Sequence, residues 1–337
     1  MAKDGTLRCS ATIYPLMDMD TPVLNVTLKP QHHLIASVNK LSGNRAVYTF
    51  DDIFTEDPGM KRILTLAQTY ARYDGNILIE GESGTGKELL AQAIHNANSR
   101  ASGPFVVVNC ASIPRETLAS DLFGYEVGAF SEASCEGSPG QFELANHGTL
   151  FLDEIAEIPL DFQSKLLRAV ESHSITRVGG KEEIKLDIRI ITSTNHNLEM
   201  DVANQSFSPE LFFRLNILRL NVPPLRERIH DAVYCANCFL ERLNARYPSM
   251  SRTCSPEFLS GLLRYHWPGN VRELQNSIER AFYSSTDQVL GEESLSFVYP
   301  LTLDQNRSPL PGRDMDESGR IRSALAICGG DVEAAAV

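Results

Sequence analysis

The segment best suited to chemistry is a run of glycines that ends in a lysine. Residues 81–88 read GESGTGKE and fit the spacing G-x-x-x-x-G-K. Glycines allow backbone N–H groups to turn inward around phosphate oxygens, and Lys87 adds positive charge near the terminal phosphates. Glu88 replaces the Ser or Thr that usually binds magnesium. We call residues 81–88 the glycine loop and predict that ATP or GTP is bound by Gly81, Glu82, Ser83, Gly84, Thr85, Gly86, Lys87 and Glu88.

Two carboxylates follow the next strongly apolar run. Residues 148–152 read GTLFL, and Asp153 and Glu154 come directly after them. Such an apolar strand is expected to be buried in a parallel sheet, so acids at its carboxyl end would emerge beside the glycine loop. We predict that Asp153 holds Mg²⁺ and that Glu154 orients an attacking water. A paired acid alone could be a solvated turn, but together the two motifs favour nucleotide binding and hydrolysis.

The sequence around these motifs predicts an α/β fold. Strands that alternate with helices form a parallel sheet covered by helices on both faces. From residue 229 the pattern changes to helices alone, which predicts a small helical subdomain at 230–246, 256–264 and 270–284. The α/β part is predicted to have strands at 76–80, 104–109, 148–152, 186–193 and 217–222, with helices near 58–72, 87–98, 115–123, 159–172 and 209–215.

These patterns divide the chain into five parts. Residues 1–49 contain one predicted strand, 23–28, and one predicted helix, 34–41, which cannot bury a core by themselves. A Pro-, Ser- and Gly-rich stretch before the last residues predicts a linker. The predicted parts are an N-terminal remnant (1–49), an α/β subdomain (50–228), a helical lid (229–290), a linker (291–314) and a C-terminal segment (315–337).

Composition restricts the class of protein. The 337 residues are 42% hydrophobic and 22% charged, as in a globular protein with a core, and the net charge of −12 argues against a general nucleic-acid coat. Seven scattered cysteines, with a single C-x-x-C at 235–238, indicate reduced thiols rather than a zinc or disulfide framework. No signal peptide or membrane span is recognisable. We therefore expect a cytoplasmic protein with no membrane partner.

Six motifs together resemble the central domain of bacterial enhancer-binding proteins, the AAA+ ATPases that activate sigma-54 RNA polymerase. The resemblance covers residues 50 to about 290. It implies an AAA+ P-loop domain with a helical lid, ATP and Mg²⁺ as cofactors, and a ring of subunits, a hexamer, that opens sigma-54 polymerase–promoter complexes. The motifs are GESGTGKE (81–88), FVVVNCASIP (105–114), LFGYEVGAFSEA (122–133), GQFELANHGTLFLDEI (140–155), NVPPLRERIHD (221–231) and WPGNVRELQNSIERA (267–281).

The same resemblance assigns roles to several polar residues. It implies that Asn109 pairs with Glu154 until the nucleotide state changes, although a strand-end asparagine is more often a turn residue. It makes Thr194 and Asn195 a sensor near the terminal phosphate. It also makes Arg272 a contact from the lid to the bound nucleotide, where the alternative is a surface arginine. Residue Asn270, in the same motif, is the expected N-cap of the lid helix.

Two stretches depart from the family pattern. The sigma-54 contact loop usually reads GAFTGA, but here Ser and Glu replace Thr and Gly in Gly128, Ala129, Phe130, Ser131, Glu132 and Ala133. The arginines that reach a neighbouring subunit's ATP usually lie in F-R-x-D-L-x-x-R-L. Here Ser208 replaces the first of them, and Arg214 remains as the second. The resemblance implies that Arg214 completes the neighbour's catalytic site.

Both ends of the chain also differ from complete family members. Residues 321–337 resemble the opening of a Fis-like helix-turn-helix, without the recognition helix that would read DNA. The stretch before residue 53 resembles the junction after a sensory domain in acetoin- and glycerol-type regulators. We therefore expect a chain truncated at both ends, with an incomplete helix-turn-helix at 315–337, or else a protein that does not read an enhancer itself. The missing recognition helix puts DNA contact in doubt.

Three functions follow from these features. The first is an ATP-hydrolysing activator that remodels sigma-54 RNA polymerase. The second, motivated by Ser208, Glu132 and the incomplete helix-turn-helix, is a nucleotide-binding but poorly catalytic partner in rings with a complete activator. The third is another AAA+ motor, such as a chelatase-like protein, against which the GAFSEA and WPGNVREL motifs argue.

Overall fold

A computed structural model describes residues 9–18, 21–30, 39, 43–129, 137–295 and 297. The strands are β1 (Cys9–Asp18), β2 (Thr21–Pro30), β3 (Ile77–Glu80), β4 (Phe105–Asn109), β5 (Thr149–Asp153), β6 (Ser174–Thr176), β7 (Glu183–Lys185), β8 (Arg189–Thr194), β9 (Leu218–Asn221), β10 (Thr253–Cys254) and β11 (Val289–Leu290). The helices are α1 (Pro58–Tyr70), α2 (Lys87–Asn96), α3 (Leu118–Phe123), α4 (Gln141–Leu144), α5 (Leu160–Ser172), α6 (Leu198–Ala203), α7 (Pro209–Leu215), α8 (His230–Arg246), α9 (Pro256–Arg264) and α10 (Asn270–Ser284).

The centre of the fold is a five-stranded parallel sheet in the order β4-β5-β8-β3-β9. In β3, Ile77 and Ile79 belong to one hydrophobic cluster and Leu78 to the other, so each face of the sheet is covered by its own core. All three side chains are fully buried, and each contributes about 1.5–3 kcal/mol on leaving water. The predicted α/β class and all five sheet strands are therefore confirmed.

A short hairpin of β6 and β7 was not predicted from the sequence. Its strands have only three residues each and pair antiparallel, Ser174 with Lys185 and Thr176 with Glu183. Three residues are too few to show the period-two pattern that identifies a strand. The helices α4 and α6 were also not predicted, because they are too short to show the 3.6-residue period that identifies a helix.

The lid contains the three predicted helices, now α8, α9 and α10, and Trp267 is fully buried in it. The expectation of helices alone was wrong in one detail, because β10 and β11 pair in parallel through two residues each. This pairing joins the chain after α10 to the turn before α9.

The N-terminal segment differs from its prediction. The expected strand 23–28 lies within β2, which pairs antiparallel with the unpredicted β1. The expected helix 34–41 lies outside the described residues except for Asn39, and the segment 315–337 lies outside them altogether. The proposed division of the chain at residues 50, 229 and 291 stays a prediction. Among the described helices, none has the length and apolarity needed to span a bilayer.

Candidate functional site

The glycine loop connects β3 to α2, as the sequence predicts. Gly86 caps α2 with φ 100°, a conformation that glycine adopts without strain, and Lys87 is the first helical residue. The Lys87 ammonium group donates to the carbonyl oxygens of Gly81 (2.8 Å) and Glu82 (3.2 Å). Burial lowers the pKa of Lys87 below its ordinary value, although nearby carboxylates oppose the shift. The loop is therefore closed around its own lysine.

The two predicted carboxylates lie at the carboxyl end of β5, beside the glycine loop. The hydroxyl of Ser193, in the adjacent strand β8, donates to Asp153. Glu154 has φ 54°, an unusual value for a residue other than glycine, and its Oε2 accepts a hydrogen bond from the backbone N–H of Asn195 at 3.3 Å. The sheet thus brings Asp153, Glu154 and Asn195 together at one edge.

Asn109 lies at the same edge but is not paired with Glu154. Its Oδ1 accepts a hydrogen bond from the N–H of Ala111 at 3.0 Å and caps the short 3₁₀ turn Cys110–Ser112. No hydrogen bond between Asn109 and Glu154 occurs in the described part of the chain, so the expected pairing is absent from this structure. The Oδ1 of Asn109 therefore has a local turn role, as is common for an asparagine at the end of a strand.

A cavity of about 480 Å³ lies over these groups. Its polar lining includes the glycine loop from Ser83 to Glu88, together with Asn109, Asp153, Glu154 and Arg272. It also has an apolar lining that sequence reasoning missed, formed by Ile53, Phe54, Met60, Phe239 and Leu243.

Residues from distant parts of the described chain build this apolar lining. Phe54 packs edge-on against Phe239 of α8, with ring centroids 5.8 Å apart, and the Arg242 guanidinium lies 4.3 Å from the Phe54 ring centre. The available signal was the pair of apolar residues Ile53 and Phe54, shortly before the first helix. A cavity with charged and apolar lining suits a ligand that joins phosphates to a flat ring.

The lid contacts the glycine loop through its last helix. The Arg272 backbone N–H donates to the Gly84 carbonyl at 3.2 Å, and its Nη1 donates to Ser83 Oγ at 3.3 Å. Gly84 has φ 79°, and a Cβ there would overlap the carbonyl oxygen of Gly269. Arg272 therefore lines the cavity, and its contact with a nucleotide stays a prediction. The loop and the lid approach too closely for any side chain at residue 84.

Asn270 has a larger role than the expected helix cap. The cap residue of α10 is Gly269, and Asn270 is fully buried with φ 54°. Its Oδ1 accepts from the N–H of Leu225 (2.8 Å), while its Nδ2 donates to the Ser83 carbonyl (3.0 Å) and to Glu82 Oε2 (3.2 Å). The N-cap prediction was wrong because the side chain is used between segments rather than within its helix.

Charged groups outside the predicted set reinforce this contact. Arg226 forms two hydrogen bonds with Glu82, at 2.7 and 2.6 Å, and this bonding holds the pKa of Glu82 below its usual value. The buried Arg228 donates to the Thr85 carbonyl at 3.3 Å and forms an ion pair with the buried Asp231 at 3.4 Å. The PPLRER motif thus attaches the glycine loop to the lid from a second side.

The residues expected to act between subunits lie elsewhere. Arg214, at the end of α7, is absent from the described cavity lining, and its Nε is a buried donor without a partner in the part of the chain that is described. The neighbouring Phe213 side chain is 74% exposed. Ser208 caps α7, because its Oγ accepts from the N–H of Leu211 at 3.3 Å. Serine thus has a local structural role at this position.

Of the remaining predicted residues, Glu88 lines the cavity, Thr194 does not, and part of the predicted contact loop lies outside the described residues. Thr194 is a buried end of β8 whose carbonyl accepts from the Gly81 N–H at 3.2 Å. Glu88, the last residue of the glycine loop, lies in the first turn of α2 and accepts a hydrogen bond from Gln92 at 3.0 Å. Gly128 and Ala129 are described, at the start of the predicted contact loop, but Phe130, Ser131, Glu132 and Ala133 lie outside the described residues.

Comparisons with known proteins agree with this geometry. The sigma-54 interaction domain family matches residues 53–221, and the AAA+ ATPase lid domain family matches residues 226–307. The chain is similar to the signal-transduction and transcriptional-control protein of Clostridium beijerinckii, with 42% identity over 281 residues, which is 83% of this chain and 44% of that protein. It is also similar to the regulatory protein AtoC of Escherichia coli, with 41% identity over 293 residues, 86% of this chain and 63% of AtoC.

A solved structure with a related fold is NtrX of Brucella abortus in complex with ATP. It has a TM-score of 0.66 and 29% sequence identity, and the match covers 90% of this chain and 68% of NtrX. The chain spans only about two-fifths of the length of the curated relatives it matches first, 44%, 42% and 39% of them.

Proposed function

Because the chain belongs to the family of sigma-54-dependent transcriptional activators, which carry an AAA+ ATPase domain, we propose that it hydrolyses ATP to convert closed sigma-54 polymerase–promoter complexes into open ones. The observation that carries the proposal is the meeting of Lys87, Asp153 and Glu154 in one cavity. Phosphoryl transfer to water requires a cation, a carboxylate that binds the metal and a second carboxylate that orients the water. The proposal places the protein in the cytoplasm, where the polymerase acts.

The residues present fit a nucleoside triphosphate. The related NtrX structures contain ATP or ADP. In this chain the Lys87 ammonium group is bonded to two neutral carbonyl oxygens. Phosphate oxygens can replace these acceptors and form stronger, charge-assisted hydrogen bonds. The apolar cavity lining around Phe54 would cover the adenine ring.

The residues also fit a magnesium ion that is held jointly by the protein and the phosphates. Within the described residues no group of three or more His, Cys, Asp or Glu side chains could hold a metal ion, which suits an ion that takes most of its ligands from phosphates and water. Asp153, fixed by the Ser193 hydroxyl, would supply the protein ligand. Bound magnesium would offset the negative charge that develops on the phosphates.

The other roles are assigned by position. Glu154 would turn from the Asn195 N–H to accept a proton from the attacking water. Thr194 and Asn195 would link that carboxylate to the terminal phosphate. Asn109, which lines the cavity, would pair with Glu154 in another nucleotide state. Arg272 would neutralise phosphate charge from the lid. Residues 128–133 would contact sigma-54.

The site needs a second copy of the chain. Arg214 does not line the described cavity of its own subunit, and the exposed Phe213 beside it suits a contact between subunits. We propose a ring, a hexamer, in which Arg214 of each subunit reaches its neighbour's nucleotide. An arginine supplied by a neighbouring subunit in this way can raise the rate of hydrolysis by about 10³-fold or more.

One observation favours a second candidate function. Ser208 stands where the family pattern has another arginine, and it is occupied as a helix cap. A poorly catalytic partner in rings with a complete activator would therefore bind ATP but hydrolyse it slowly. The membership of the chain in the sigma-54 activator family argues against the third alternative, a chelatase-like motor.

Steady-state ATPase measurements on purified variants test the proposal. Lys87→Ala should lose ATP binding and turnover, whereas Glu154→Gln should keep binding and lose turnover by about 10²-fold or more. Lys61→Ala and Glu171→Gln, on the exposed surface, are the matched controls and should resemble wild type. Unchanged turnover in both site variants would refute the assignment.

Two further measurements separate the candidates. Turnover per subunit that rises steeply with protein concentration supports the ring-forming enzyme. Binding without appreciable turnover at any concentration supports the regulatory partner. Open-complex formation with sigma-54 polymerase then tests the target, and an active ATPase that opens no complex contradicts it.

A further inference from the structure

A histidine behind the candidate site lies between two carboxylates. His196 Nδ1 lies 3.1 Å from Asp201 Oδ2, and its Nε2 lies 3.5 Å from Glu157 Oε1. A neutral imidazole has one N–H and no charge, so it can bond to only one of these acids, whereas the imidazolium ion can donate a hydrogen bond to Asp201 and also form an ion pair with Glu157. Only the protonated ring can therefore pair with both carboxylates at the same time.

The two carboxylates belong to segments that flank the proposed catalytic residue. Glu157 ends the 3₁₀ turn Ile155–Glu157, whose cap residue is Glu154. Asp201 lies in α6, which follows the end of β8. Protonated His196 thus ties the turn that carries Glu154 to helix α6.

Helix α6 is in turn fixed to the sheet. Glu199, in its first turn, is bonded to Arg219 of β9, and Arg219 is also bonded to Glu80, directly before the glycine loop. His196 is therefore linked to a helix that is itself anchored to the sheet.

The backbone next to His196 already contacts Glu154. The N–H of Asn195 donates to Glu154 Oε2 at 3.3 Å, and the N–H of His196 donates to Thr194 Oγ1 at 3.0 Å. Residues 194–196 therefore contact the Glu154 region in two ways. The backbone N–H of Asn195 bonds to the Glu154 carboxylate, and the His196 ring contacts Glu157 in the 3₁₀ turn that follows Glu154. A shift of residues 194–196 would move the N–H that orients Glu154.

We propose that His196 is a positioning residue for Glu154, and that its protonated form supports faster ATP turnover than its neutral form. This rests on the proposed ATPase function. The charged groups facing the ring are Glu157 and Asp201, with Glu154 reached through the Asn195 N–H. Loss of the ring proton frees one of the two carboxylates, so the turn that carries Glu154 is released from α6.

The test is the pH dependence of kcat and KM for ATP, measured on the full chain between about pH 6 and pH 8.5, where histidine changes charge. Wild-type kcat should fall about two- to fivefold as the pH rises, the range that partly exposed ion pairs support. His196→Gln should have the low kcat at every pH. His196→Arg, which keeps a charge and two N–H directions, should keep the high kcat at every pH. KM should change little, because His196 lies outside the described cavity lining.

A second histidine provides the matched control. His147 Nδ1 lies 3.3 Å from Asp187 Oδ2, but it precedes β5 at the opposite end of the sheet. Its φ of 64° is tolerated by asparagine, so His147→Asn should fold and keep the wild-type pH profile.

Each other outcome overturns the inference. If His196→Gln keeps the wild-type pH dependence, or if His196→Arg is as slow as His196→Gln, the protonated ring does not position Glu154. A pH dependence that His147→Asn also abolishes would assign it to a general effect of histidine charge. A wild-type chain without turnover at any pH would refute the proposed ATPase function and this inference together, whereas an active wild type with unchanged variants refutes the inference alone.

Discussion

Replacing Asn270 by alanine should destabilise the attachment of the lid to the glycine loop. The side chain is fully buried and joins three segments through Leu225, Ser83 and Glu82. Alanine leaves the buried Leu225 N–H without an acceptor, which costs about 1–3 kcal/mol. It also places a residue with a Cβ and no polar side chain at φ 54°, which costs roughly 1 kcal/mol more than asparagine. The expected loss is about 2–4 kcal/mol of the free energy of unfolding.

The chain contains its own probe for this measurement. Its single tryptophan, Trp267, is fully buried three residues before Asn270. Urea unfolding followed by tryptophan fluorescence therefore reports on the lid itself. The alanine variant should unfold at a lower urea concentration and bind ATP more weakly, because the glycine loop loses a support.

Two companion variants separate the contributions. Asn270→Gly loses the same hydrogen bonds but has no penalty at positive φ, so it should be less destabilised than the alanine variant. Asn270→Asp keeps an acceptor for Leu225 but places a second carboxylate near Glu82, so it should weaken the contact by repulsion. If alanine changes the unfolding free energy by less than about 0.5 kcal/mol, a value within the range of ordinary surface substitutions, the bridging role of Asn270 is refuted.

Three further predictions follow from single residues. Gly84→Ala should reduce ATP affinity at least tenfold in calorimetry, because its Cβ would overlap the Gly269 carbonyl; wild-type affinity would show that the loop and lid can separate. Burial lowers the pKa of His95 to about 4, so the unfolded chain binds the proton first, and the free energy of unfolding should fall by up to about 3 kcal/mol from pH 6.5 to pH 4. His95→Gln should remove this part of the pH dependence in urea titrations, and an unchanged slope contradicts it. Ser208→Arg should raise turnover in concentrated protein while costing about 1 kcal/mol of stability through the lost cap on Leu211, and unchanged turnover would show that Arg214 suffices.

The sheet and the polar end of the site could be predicted because they depend on local patterns. Apolar runs such as 148–152 are buried on both faces, and this makes a strand recognisable without knowledge of its neighbours. The carboxyl ends of adjacent parallel strands meet at one edge, so Asp153, Glu154 and Asn195 come together once the strands are recognised. Only strand order was needed beyond the sequence.

The apolar lining and the lid contacts depend instead on docking between distant segments. Phe54 and Phe239 are separated by 185 residues, and Asn270 and Ser83 by 187. Nothing in the local periodicity of either segment specifies its partner, so Asn270 resembles an ordinary helix cap until the lid is in place. Asn109 is the opposite case, because its Oδ1 caps a turn only two residues away, a local role that its position at the end of a strand already indicates.

The structure also narrows what the missing arginine at residue 208 can mean. Lys87, Asp153, Glu154 and Arg272 all line the cavity of one subunit, so ATP binding is expected whether the protein is an activator or a poorly catalytic partner. The change at Ser208 affects only the contribution to a neighbouring subunit, and Arg214, on the same helix, keeps a buried Nε without a partner in the described residues. The activator and the poorly catalytic partner are therefore expected to differ in how ATP turnover depends on ring assembly, and not in their affinity for ATP. Mixed rings of this chain with a complete activator would show which subunit supplies the arginine needed for hydrolysis.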